Sequence, residues 1–190
     1  MKGFTAIYRK EMYSLFASPI FYVVAFTFLM VQGYFFYTTV AYFSLMSMQA
    51  AQNPFMAMQL NVTDMVLRPL FNDVNIVLLL VAPILTMRVY AEEKKTGTIE
   101  LLYTWPVTDR TALLAKYAGL LTVYAVVLAA TLPHMAVLAW IASPSISVMA
   151  TGYLGLLLFG GAFLALGTFT SSLTHNQIVA AVLAFGLGIM

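Results

Sequence analysis

Apolar residues run through this chain in long, nearly unbroken stretches, and those stretches set its first reading. From Ile20 to Phe43 there are 24 residues with few polar side chains, which fits neither the alternation of a strand nor the one-sided stripe of a soluble helix. About 20 apolar residues at a rise of 1.5 Å cross a hydrocarbon core of roughly 30 Å. By that measure the sequence predicts membrane-crossing helices over residues 20–43, 70–89, 117–142 and 148–170. A further apolar run, 178–190, reaches only about 20 Å at helical rise, so four complete spans plus part of a fifth are expected, with the chain stopping inside a helix. The first run is too long for the apolar region of a signal peptide, about 7–15 residues, and is read as a retained span. Pro83 and Pro133 lie inside the second and third spans and predict kinks there.

Composition agrees. Hydrophobic residues make up 62% of the 190 and charged residues 8%, with a mean hydropathy of +0.91, against about 25% charged in soluble domains. In lipid every backbone polar group needs an internal partner, which leaves helix bundles and closed barrels, and barrels are built from short alternating segments. The expected class is an all-α integral membrane protein, a polytopic helix bundle forming one transmembrane domain over residues 1–190.

Charge then locates the part of the chain built for water. No Asp, Glu, Lys or Arg occurs in residues 12–63 or 117–190, whereas nine of the sixteen charged residues lie in 88–116. With the spans above, eight Lys and Arg fall on the side of the N-terminus and one, Arg68, on the other. The positive-inside rule therefore makes the N-terminus and the 88–116 loop cytoplasmic. A net charge of +2 with no basic patch gives no reason to expect nucleic acid, and the absence of cysteine removes disulfides and thiolate metal sites.

Within the loop, Gly97 ends whatever helix leaves the second span, and Thr98 is placed to cap a new short helix, Thr98 to Thr104, with Glu100 in its first turn. Ile99, Leu102 and Tyr103 share one face of it, and Pro106 stops it. Thr108 then caps the next helix, with Asp109 in the first turn. Such a helix lies in the lipid interface or docks into a groove on a partner. The carboxylates Glu92, Glu93 and Glu100 suit an anionic leaflet poorly and favour a protein partner.

The run Ala91-Glu92-Glu93-Lys94-Lys95-Thr96-Gly97-Thr98-Ile99-Glu100-Leu101-Leu102, followed by Trp105-Pro106-Val107-Thr108 and Lys116-Tyr117, resembles the first cytoplasmic loop of type-2 ABC transporter permeases, closest to the gliding-motility-associated branch. The resemblance implies six spans, so that the chain is truncated before the end of span 5. It also makes Glu92, Glu93, Gly97, Thr98, Ile99, Glu100, Leu101 and Leu102 a coupling helix inserted in a cleft of a cytosolic ABC ATPase subunit. It implies a second permease subunit, the same or related, and a bacterial-type inner membrane. Residues 1–18 become an interfacial amphipathic segment, with Ile7, Met12, Leu15 and Phe16 toward lipid and Arg9, Lys10 and Glu11 toward water. ATP and Mg are then expected in the partner, with no cofactor bound directly and no enzyme activity in this chain. A membrane scaffold, or an accessory subunit of an envelope or motility complex, is the alternative.

Other chemistry has little support in the text. There is no Gly-x-x-x-x-Gly-Lys-Ser/Thr loop to cradle phosphates. His134, next to Pro133, is a lone histidine without a carboxylate in its span, read as structural or lining a cavity. The small residues of the fourth span, among them Gly160, Gly161, Ala165 and Gly167, predict close helix packing.

Overall fold

The computed structural model describes residues 2–52, 55, 58, 60–100, 107–142 and 144–190. Among them the regular structure is helical throughout. Helix α1 (Lys2–Ala17) ends at Ser18, which is extended at φ −78° and ψ 122° because the following Pro19 disfavours a helical residue before it. Pro19 itself opens α2 (Pro19–Ala50), where its missing N–H costs nothing.

At 32 residues α2 is about 48 Å long and outruns the hydrocarbon core. The sequence reading ended this helix at Phe43, where polar residues begin. The helix instead continues to Ala50, because no breaker intervenes and Ser47 Oγ donates to the Phe43 carbonyl at 2.9 Å.

A five-residue π-helical turn, Thr63–Leu67, leads into α3 (Arg68–Thr86). Asn61 Oδ1 accepts the Thr63 N–H at 2.9 Å, and Asp64 pairs with Arg68 one turn later at 3.0 Å. The second span thus starts earlier than expected and holds Asn72, Asp73 and Asn75 within helix. Pro83 sits inside α3, and the helix ends four residues before Tyr90, at Thr86, whose hydroxyl turns back on the Ala82 carbonyl. A short helix, α4 (Ala91–Thr96), follows.

The third span is divided. Helix α5 (Asp109–Ala129) stops at Ala130 and Thr131, and α6 (Leu132–Ala142) resumes. Pro133 cannot donate to the carbonyl one turn upstream, so the expected kink is a break placed three residues before it. Thr131 Oγ1 takes up the Leu128 carbonyl at 2.7 Å. Helix α7 (Ile146–Leu173) is continuous, and α8 (Gln177–Ile189) is capped by Asn176, whose Oδ1 accepts the Ile178 N–H at 2.9 Å.

Among the described residues four stretches are long and apolar enough to cross a membrane: Pro19–Ala50, Thr63–Thr96, Asp109–Ala142 and Ile146–Leu173. The second is 56% buried over its most apolar window, against 17%, 28% and 22% for the others, which puts α3 at the centre. Phe28, Leu78, Leu120, Val123, Tyr124 and Leu164 form the main core where α2, α3, α5 and α7 meet. Glycines let α7 come close. A Cβ on Gly160 would sit 2.4 Å from the Tyr124 ring, and one on Gly167 would sit 2.1 Å from Thr86 Oγ1. Outward faces carry Tyr22, Phe26, Met30 and Tyr37 into the surroundings, as suits a lipid solvent.

Candidate functional site: a charged hub at one end of the bundle

The charged stretch after α3 is held by three neighbours. Helix α4 packs four charges into six residues, Glu92, Glu93, Lys94 and Lys95. Its start is seated by Ser171 near the end of α7. That fully buried hydroxyl accepts the N–H groups of Tyr90 and Ala91, each at 3.1 Å, and donates to the Met87 carbonyl at 3.1 Å. Lys94 Nζ donates to the Ser172 carbonyl. Arg88 reaches Ser18 Oγ at 3.1 Å across the α1–α2 joint and lies 3.8 Å from Glu92.

The deepest feature is Lys116 on α5, 1% exposed. Its ammonium lies 2.9 Å from Glu11 Oε1, 2.8 Å from Glu93 Oε2 and 3.1 Å from the Val89 carbonyl, with the Tyr90 ring centroid 5.1 Å away. Lys10 closes the group by donating to Glu93 Oε1. Glu93 is on the charged segment beyond the crossing part of α3. Burial would raise its carboxyl, and the ammonium groups of Lys116 and Lys10 outweigh that and hold it below the ordinary value.

This arrangement corrects the reading of residues 1–18. The apolar face of α1 is turned to protein: Ile7 packs with Ala112 and Ala115 of α5, while Met12, Leu15 and Phe16 pack against the main core. Glu11 is 7% exposed and faces Lys116 rather than water. Arg9 and Lys10 are exposed as expected. An apolar stripe shows that a face is covered, not by what, and the pairing of positions 11, 93 and 116 leaves no local trace in the sequence.

Past α4, Gly97 takes φ +74° and closes the helix in the left-handed region, where glycine carries no Cβ penalty. Residues 98–100 turn into a new helix, and Glu100 N–H donates to the Gly97 carbonyl at 3.3 Å. Thr98 is already the first residue of that helix. Its hydroxyl goes to Thr96 Oγ1 at 3.0 Å and to the Glu93 carbonyl at 3.4 Å. Thr96, Gly97, Thr98 and Glu100 are exposed and Ile99 is half-buried. Leu101 and Leu102, with the rest of the expected helix to Pro106, lie outside the described residues. Thr108 caps α5 as the sequence predicts, accepting the Thr111 N–H at 3.4 Å. Of the candidate coupling residues, then, Glu92, Gly97, Thr98 and Glu100 line the outer surface, and Glu93 is committed inward.

Pro83 lies within α3 five residues before Arg88, and His134 lies just past the break in the third span. His134 Nδ1 is 3.3 Å from the Thr131 carbonyl, and its ring lies against Phe36 at 5.1 Å. With Gln32, Thr131 and Tyr153 it lines a void of about 10 Å³, the size of one water.

Helices long enough to cross, apolar outward faces and most of the charge toward one end mark a multi-pass membrane protein. The sequence profile of the ABC-2 family transporter proteins matches residues 5–190, and the chain belongs to that family, as a permease component of an ABC transporter. Association with an ABC ATPase is implied for such permeases in general. No curated protein and no solved structure is significantly similar to it.

Proposed function

We propose that the chain is a permease subunit that receives force from a separate ATP-hydrolysing subunit through the tip at residues 97–100, in the inner membrane of a bacterial-type cell, paired with a second permease subunit. One observation carries this reading: an exposed tip stands on a base tied to three helices. A free loop would absorb a push, whereas a tip on a base held by Ser171, Lys116 and Lys10 passes it on. Clefts flank the tip on both sides. One of about 600 Å³ runs between α1 and α4 and is lined by Ser14, Ser18, Arg88 and Thr98. The other, about 670 Å³ and mainly apolar, is lined by Ile99, Leu113, Leu114 and Phe169.

Export is the direction that fits the resemblance in the loop, with ATP and Mg held by the partner and no nucleotide site in this chain. Cargo is set by the cavity between two permease subunits. The docking reading is tested by Ile99→Asp together with Glu100→Lys, which puts a charge on the buried flank of the tip and reverses its carboxylate. The expected result is loss of at least nine-tenths of the co-purifying ATPase with membrane insertion unchanged. Full retention of the ATPase would refute the docking role.

A further inference from the structure

The Lys116 ammonium donates to Glu11 Oε1 from α1 and to the Val89 carbonyl from the turn between α3 and α4, and it forms an ion pair with Glu93 Oε2 from α4 at 2.8 Å. A buried ion paired with two carboxylates cannot let one go without leaving uncompensated charge in a low-dielectric site. The packing around it is equally close. Gly119, three residues along α5, lets α1 approach so near that a Cβ there would lie 3.1 Å from Glu11 Cβ. On the other flank Ile7, Ala112 and Ala115 close an apolar cluster between the same two helices.

We propose that Lys116 is a positioning residue that locks α1, α4 and the head of α5 into one rigid body, so that displacement of the 97–100 tip moves the first and third spans together. The source of the displacement rests on the docking reading above; the lock itself is complete within this chain.

The absence of cysteine gives a clean test. A Cβ built on Gly3 of α1 lies 3.9 Å from Val107 Cβ, just ahead of α5, inside the 3.5–4.5 Å range of a disulfide. The double variant Gly3→Cys/Val107→Cys is reconstituted in proteoliposomes with its ATPase, and the ATPase rate of the complex is divided by that of the ATPase alone. If α1 and α5 travel as one body, this ratio agrees within twofold between oxidised and reduced forms. A tenfold fall on oxidation, reversed by reductant, would show that α1 must move against α5 and would overturn the lock.

Glu11→Gln removes one charge while leaving Lys116 its Glu93 and Val89 partners. It is expected to keep the ATPase bound, to lower the ratio at least fivefold and to speed amide exchange across residues 2–17 at least tenfold. Unchanged exchange overturns the lock, as does loss of ATPase binding, which would make Glu11 part of the docking surface. The disulfide leaves the ion cluster untouched, so it decides the matter even where Glu11→Gln does not assemble. Exchange needs no ATPase: a wild-type chain that holds none refutes the docking reading and leaves the lock to be judged by exchange alone.

Discussion

Lys116 and Gln32 are both almost fully buried, at 1% and 4% exposure, and they are treated in opposite ways. Around Lys116 three oxygens from three parts of the chain gather within 3.1 Å, two of them accepting hydrogen bonds and the third, Glu93 Oε2, held as an ion-pair partner. Around Gln32, midway along α2, the amide nitrogen has no acceptor among the described residues, and the neighbouring void is about the size of a water. A buried charge ringed by opposite charges holds one arrangement firmly, while a neutral polar group with nothing to pair with contributes little to stability. The contrast places the stiff joint of the molecule at its charged end and a loosely held polar group beside the break in the third span.

That contrast is open to direct measurement. Lys116→Met would leave Glu11 and Glu93 as neighbouring buried carboxylates and is expected to cost about 3–5 kcal/mol, read by thermal or detergent-driven unfolding. Adding Glu11→Gln and Glu93→Gln to it should recover at least half of that loss, because replacing a whole buried ion cluster is far milder than breaking it. Gly167→Ala should cost less, about 1–3 kcal/mol, since its Cβ would meet Thr86 Oγ1 at 2.1 Å between α7 and the central α3. Gln32→Leu should have the smallest effect and the opposite sign, neutral to about 1 kcal/mol stabilising, because it deletes a buried donor that has no partner among the described residues. A large loss with Gln32→Leu, or none with Lys116→Met, would reverse the assignment of stiff and loose regions.

Much of this architecture was legible from residue pattern alone. Long apolar runs located the spans, Gly97 and Thr108 marked the ends of α4 and the start of α5, and the crowding of charge into residues 88–116 pointed to the working surface. The boundaries erred where hydrocarbon length and helix length part company, as at Ala50, where the helix runs on past the apolar stretch. The site was only half legible. Glu93 reads as one more partner-facing carboxylate in an acidic motif, and its inward turn depends on a lysine 23 residues away and on Lys10 of α1. Amphipathicity placed a stripe along α1 correctly, yet lipid and protein are both apolar enough to cover it, so its partner could be learned only from the fold. Leu101 and Leu102, the apolar half of the expected coupling helix, belong to the segment outside the described residues.

The interruption at Ala130 and Thr131 has a further consequence. It separates two packing units, the main core of α2, α3, α5 and α7 and a smaller cluster in which Met135 and Leu138 of α6 meet Val66, Leu67 and Leu70. Truncations on opposite sides of the interruption, such as Leu120→Ala and Leu138→Ala, belong to different clusters and their energies should simply sum. The third span is therefore two short struts laid end to end, one packed toward the charged end and the other toward the far rim, with Phe71 and Tyr153 touching both clusters.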